Sequence, residues 1–142
     1  MEPQDTDARR QANFDLYARM IAAQNAKDIE GCCACIADNI VFEAPAYRPG
    51  GEPIASGAAA MREMFLGLMQ TFETIDYRVT RFIPALDPEL VIAECTGNNL
   101  VAATGKYYRN RYLFLVTCRD GKIAHILEYS NPVVHREAHT AG

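Results

Sequence analysis

Close to Thr71 the hydrophobic pattern of this 142-residue chain changes period. Before that point apolar residues recur at helical spacing; after it they alternate with polar ones, the two-residue period of strands. A chain ordered this way must lay helices from its first half against a sheet made from its second. The expected class is therefore α+β, a curved antiparallel or mixed sheet wrapped around three N-terminal-half helices.

From about Asp7 to Ala26, Phe14, Tyr17, Met20, Ile21 and Gln24 fall at helical spacing, with Asp5 or Thr6 placed to cap the start. A break over residues 25–28 leads into a short second helix in "AKDIEGCCACIA", and "NIVFEAP" alternates as a strand ended by Pro45. "AYRPGGEPIASG" is a loop by composition. Ser56 is the expected cap of a third helix whose Met61, Met64, Phe65, Leu68 and Phe72 make one apolar face. The strands then follow as "IDYRVTRFIPAL", "ELVIAECTG", "KYYRNRYLFLVTC" and "KIAHILEYSNP", with turns at Asp87-Pro88 and Asp120-Gly121. The length fits one domain over residues 1–142, with 1–6 and 135–142 expected as loose termini. "YLFLVTC" is apolar on both faces, so its outer face needs cover; a second copy of the sheet is the simplest cover, and a homodimer is expected.

Several classes drop out. The net charge is −4 with dispersed Lys and Arg, which offers no basic stripe for nucleic acid. No apolar run approaches the roughly 20 residues a membrane helix needs. The polar start "MEPQDTDARRQ" is unlike an export signal, so the five cysteines read as reduced thiols and the location as cytoplasmic. Cys32-Cys33-Ala34-Cys35 lacks the second pair of a zinc site and reads as packing. His135 and His139, spaced i, i+4, lie in the expected tail without a third ligand, so no metal is assigned there.

The last strand carries a carboxylate. In "GKIAHILEYSNP" Glu128 shares a side with Ala124 and Ile126, while Ile123, His125, Leu127 and Tyr129 face the other way. An acid in an apolar wall loses solvation, and its pKa should rise toward the range of a group that both takes and gives a proton. A two-residue turn at Asp120-Gly121 sets Leu113 opposite Glu128 and brings Arg111, Leu113, Leu115 and Thr117 to its face. A three-residue turn with a bulge brings Asn110, Tyr112 and Phe114 instead. The first is preferred here, which makes Arg111 a candidate anion anchor or partner of Glu128.

"QNAKDIEGCCACIADNIVFEAP", "ASGAAAMREMF" and "RDGKIAHILEYSNP" resemble, in order and spacing, the nuclear transport factor 2-like (SnoaL-like, ketosteroid isomerase-like) superfamily. "TGKYYRNRYLFLVTCRDGKIAHILEYSNPVV" is most similar to the phenazine-biosynthesis A/B proteins. The resemblance implies a cone-shaped fold with a deep cavity into which the Glu128 side of the last strand turns. It also implies acid-base work for Glu128, since the phenazine proteins carry a glutamate, and limonene-type epoxide hydrolases an aspartate, at this point.

Other family machinery is missing. The ketosteroid isomerase base position is Ala44, its donor tyrosine position Met20, and its protonated aspartate lies near Leu113. The histidine of the phenazine proteins falls at Met64, and Glu94 lacks the Arg-x-Asp spacing of the epoxide hydrolases. Glu94 is expected to pair with a cross-strand Arg such as Arg81. Glu43 is expected to point away from the pocket.

The expected protein is a small cofactor-independent enzyme moving a proton through Glu128 on an apolar, cyclic, carbonyl-type metabolite. Isomerisation, cyclisation and dehydration all fit. Tyr17, Met20, Phe42, Tyr47, Met64, Leu68, Arg111, Leu113, Leu115 and Ile126 are the expected substrate contacts, with the Tyr17 hydroxyl either a donor into the cavity or a satisfied core group. The rivals are a non-catalytic small-molecule binder using the same cavity and a protein-interaction module.

Overall fold

The computed structural model describes residues 3–142. Helix α1 (Pro3–Asn25) buries Leu16, Tyr17, Met20, Ile21 and Gln24 along one stripe. It begins before Thr6, so the expected loose start is helical from Pro3; residues 1 and 2 lie outside the described residues. The helix ends in a Schellman-type reversal: Lys27 adopts φ 54°, and the Lys27 and Asp28 amides bond to the carbonyls of Gln24 and Ala23. Asp28 then caps α2 (Ile29–Cys33) by accepting from the Gly31 amide at 2.9 Å. Cys32 and Cys35 are buried free thiols in the core.

Strand β1 (Ile36–Glu43) is followed by a loop and the two-residue strand β2 (Ala55–Ser56). Ser56 therefore does not cap α3 (Ala58–Thr71). Gly57 does, at φ 90°, a conformation a Cβ would strain, and with no side-chain bond. Met61 and Phe65 of α3 are fully buried against the sheet, each worth roughly 1.5–3 kcal/mol in area removed from water.

The remaining strands are β3 (Phe72–Thr74), β4 (Tyr77–Pro84), β5 (Leu90–Val101), β6 (Tyr107–Arg119) and β7 (Lys122–Tyr129). The sheet order is β2-β1-β7-β6-β5-β3, with β4 also on β5. Only the β1–β7 pairing is parallel. The sheet curls as a half-barrel around the helices, an α+β arrangement of the nuclear transport factor 2-like kind. Rows of cross-strand partners define its faces. Ala93, Phe114 and Glu128 share one row, and Val91, Val116 and Ile126 another, both on the inner face. Ile92, Leu115 and Leu127, then Glu94, Leu113 and Tyr129, share rows on the outer face.

The tail expected to fray forms helix α4 (Pro132–His139). Asn131 caps it, accepting from the Val133 amide at 2.9 Å, and Pro132 occupies the first helical position. Eight residues are too few for a stable isolated helix; tertiary bonds hold this one. Thr104 Oγ1 donates to the Ala138 carbonyl at 2.8 Å, and Lys106 Nζ donates to those of Glu137 and Thr140 at 3.1 and 2.6 Å. Asn110 Nδ2 donates to the Asn131 carbonyl at 3.0 Å.

Candidate active site

The hairpin β6–β7 decides which residues meet Glu128. Its turn is the two-residue Asp120-Gly121, with φ 53° and 75°, and Arg119 pairs with Lys122. Cys118 pairs with Ile123, but Thr117 pairs with His125, which leaves Ala124 as an extra residue in β7. This bulge slips the register by one, and a one-residue slip turns every later partner over. Phe114, not Leu113, stands opposite Glu128.

Three expected contacts are corrected by that bulge. Arg111, Leu113 and Leu115 lie on the outer face of β6, with Leu113 36% exposed. Arg111 therefore neither anchors a ligand in the cavity nor partners Glu128. Ile123, assigned from alternation to the outer face, is fully buried in the core because it precedes the bulge. His125 does face outward, where its Nε2 lies 2.7 Å from Glu43 Oε2. Arg81 Nη2 donates to Glu94 Oε1 at 2.6 Å.

The inner face closes with α1, α3 and α4 around a cavity of about 400 Å³. Tyr17, Met20, Phe42, Tyr47, Met64, Leu68 and Ile126 line it, as does Glu128. So do Gln24, Tyr77, Tyr108, Tyr112, Phe114, His135 and His139, which the sequence did not single out as contacts. Most of the wall is aliphatic or aromatic, with phenol oxygens distributed over it.

Among the described residues Glu128 is the only acid on that wall. Burial pushes its carboxyl up to about 7, opposed only by one hydrogen bond that favours the charged form. That bond comes from Ser130 Oγ, which donates to Glu128 Oε2 at 3.2 Å. With its proton committed, Ser130 Oγ accepts from the Tyr47 hydroxyl at 3.0 Å. Tyr47, Ser130 and Glu128 thus form a directed chain from the β1–β2 loop to the carboxylate.

The surrounding phenols stay protonated. Burial is the first cause raising Tyr17, Tyr77, Tyr108 and Tyr112, and the Glu128 charge raises each further. Tyr17 is 1% exposed, with its hydroxyl beside the Cys95 thiol, so it is wall and core at once. Tyr112 stacks on Phe114 with centroids 5.4 Å apart, and its hydroxyl is buried with no hydrogen-bond partner among the described residues. A carboxyl poised near neutrality among protonated phenols can pass a proton to or from a carbonyl-bearing molecule while a phenol polarises its oxygen.

One signal for the missed wall was present. Tyr108, Tyr112 and Phe114 share a face of β6, the face that the bulged alternative brought to Glu128. His135 and His139 were visible as an i, i+4 pair, but their helix was not.

The profile of the SnoaL-like domain family matches residues 17–126. The chain is 31% identical over 113 residues to YesE of Bacillus subtilis (strain 168), an uncharacterised protein, covering 79% of this chain and 76% of that one. Its structure is similar to the crystal structure of a phenazine biosynthesis-related protein of Pseudomonas aeruginosa, with TM-score 0.82 and 19% identity over 98% of this chain and 92% of that one. It is also similar to TerC co-crystallised with polyporic acid, with TM-score 0.75 and 19% identity over 90% and 98% of the two chains. By the profile match and by the relationship to YesE, the chain belongs to the SnoaL-like family of the nuclear transport factor 2-like superfamily.

Proposed function

We propose that this protein is a small cofactor-independent enzyme that moves a proton through Glu128 on an apolar, cyclic, carbonyl-type metabolite. The observation that carries this is a buried carboxyl, held near neutrality, as the one acid among the described residues that line a mostly apolar cavity. The carboxylate takes a proton from the carbon beside the carbonyl. The C–H electron pair becomes an enolate whose oxygen a wall phenol supports, and Glu128 returns the proton at the same or another carbon. Isomerisation, cyclisation and dehydration each use that step. TerC, a structural neighbour, was co-crystallised with polyporic acid, which supports a ligand-binding cavity in this fold.

Deuterium exchange of 2-tetralone in D2O tests the chemistry without knowledge of the natural substrate. The protein is expected to accelerate exchange at the carbon beside the carbonyl, and Glu128→Gln to lower that acceleration roughly 10²–10⁴-fold. Equal exchange by both proteins would remove Glu128 from the chemistry.

A non-catalytic binder is the second reading. It is favoured by apolar side chains, Met20, Ala44 and Met64, on the wall where relatives are expected to carry polar catalytic groups. For assembly we infer a homodimer through the outer face, where Ile92, Leu113, Leu115, Leu127 and Tyr129 form neighbouring apolar rows. Sedimentation at several concentrations tests it, with Leu113→Arg expected to shift the species toward monomer. No helix among the described residues is long and apolar enough to cross a membrane. Five free cysteines fit the reducing cytoplasm.

A further inference from the structure

The two carboxylate oxygens of Glu128 are not equivalent. Oε2 accepts from Ser130 Oγ at 3.2 Å, whereas Oε1 bonds to none of the described residues and stays open to the cavity. Ser130 has one proton to give. An ionised Glu128 has none, so Ser130 must donate to it, and Tyr47 must then donate to Ser130 across 3.0 Å. Burial keeps the Tyr47 phenol protonated for that bond. Hydrogen bonds in series polarise one another, so the outer link strengthens the inner one.

Both hydroxyls ride on backbone that is held from elsewhere. The Tyr47 amide donates to the Ala44 carbonyl at 2.9 Å in a turn just after β1, and Arg48 Nη1 donates to the Tyr47 carbonyl at 3.0 Å. The Tyr47 ring meets His135 of α4 edge-on, with centroids 5.0 Å apart. On the other side, the buried Asn110 clamps the residue after Ser130. The Asn131 carbonyl accepts from Asn110 Nδ2 at 3.0 Å, and the Asn131 amide donates to Asn110 Oδ1 at 3.3 Å. Hydroxyls fixed in this way can hold a carboxylate in one rotation.

No charged group competes for the acid. The wall presents Tyr17 from α1, Tyr77 from β4, Tyr108 and Tyr112 from β6, Arg48 from the loop after β1, and His135 and His139 from α4. None of them bonds to Glu128; Ser130 alone does so among the described residues, and its bond is what favours the charged carboxyl against burial.

We propose that Ser130 and Tyr47 are positioning residues for Glu128: in series they engage Oε2 and leave Oε1 as the oxygen that takes a proton from a ligand and returns it. The proposal rests on the proton transfer described above. It adds which oxygen performs the transfer and what aims it. Without the series the carboxylate is free to rotate, and its ionised form loses a hydrogen bond. Proton transfer then slows even at full ionisation, and ionisation itself needs a higher pH.

Carbon-13 NMR titration of Glu128 and 2-tetralone exchange measured against pH test this together. Ser130→Ala should raise the Glu128 midpoint by about 1 pH unit. Above that midpoint it should lower kcat for exchange about tenfold with KM within about twofold. Ser130→Thr, which keeps the hydroxyl, should restore both. Tyr47→Phe keeps the ring against His135 and should raise the midpoint by a smaller amount. Circular dichroism monitors each fold, and the Thr and Phe variants carry the test if the Ala variant does not fold. An unmoved midpoint in folded Ser130→Ala or Tyr47→Phe overturns the proposal. So does an unmoved kcat in Ser130→Ala, or a Thr variant that behaves as the Ala variant does. The midpoint needs no turnover: if the wild-type protein fails to exchange tetralone, the proposed function falls, while Ser130 and Tyr47 are still judged by the titration.

Discussion

The two faces of β6 are one residue apart in sequence and differ wholly in use. Tyr108, Asn110, Tyr112 and Phe114 look inward, are buried, and shape the neighbourhood of Glu128. Arg109, Arg111 and Leu113 look outward and are exposed. Nothing in local composition says which set belongs inside, since both contain apolar and polar residues. The choice is made across the hairpin, by the extra residue Ala124 in β7. A single bulged residue thus converts a possible Arg–Glu ion pair into an unpaired acid among phenols. Burial, opposed by the Ser130 hydrogen bond, then sets the proton affinity of Glu128.

Truncation on each face breaks the comparison most directly. Phe114→Ala is expected to cost about 3–5 kcal/mol in denaturant unfolding, since it empties the row beside Glu128. Leu113→Ala, one residue away, should cost under about 1 kcal/mol in the monomer. Similar costs at both positions would mean that the faces are not distinct.

The next effect is a pH dependence. Folding raises the Glu128 carboxyl from its ordinary value to about 7. The protonated acid is therefore the form the fold prefers. Its contribution is fully present below about pH 4.5 and is lost as pH rises through about 7, amounting to at most about 3 kcal/mol. Glu128→Gln should match wild type near pH 4.5 and exceed it in stability at pH 8, by up to that amount. A wild-type protein that gains on the Gln variant as pH rises would contradict the assignment.

The smallest expected effect sharpens the same contrast. Arg111→Ala should change stability by no more than about 0.5 kcal/mol and leave the Glu128 titration where it was. A clear rise in the Glu128 pKa on removing Arg111 would place the guanidinium beside the acid after all.

Much of the architecture was legible because its signals are periodic or local. The change of period near Thr71, the Asp120-Gly121 turn and the alternation around Glu128 each follow from repeating geometry that neighbouring residues enforce. The Ala124 bulge was not legible: an alanine fits equally well in a regular ladder, and only long-range pairing selects the irregular one. Helix α4 was missed for a related reason. Asn131-Pro132 reads as a strand terminator or as a helix start, and the bonds from Thr104, Lys106 and Asn110 that favour the helix come from distant parts of the chain. With α4 went His135 and His139. Ser56 failed as a cap because the backbone turns at Gly57 in a conformation that favours glycine, leaving the serine in β2. Positions set by a residue's own period were readable; those set by partners far away in sequence were not.

The central claim is that burial in a largely apolar wall, without an ion pair to its carboxylate, holds the Glu128 carboxyl near neutrality. Carbon-13 NMR titration of that carboxyl in the ligand-free protein, assigned by comparison with Glu128→Gln, measures it directly. The expected midpoint is about 7. A midpoint at or below the ordinary glutamate value of about 4.3 would show a solvated or ion-paired acid and contradict the account.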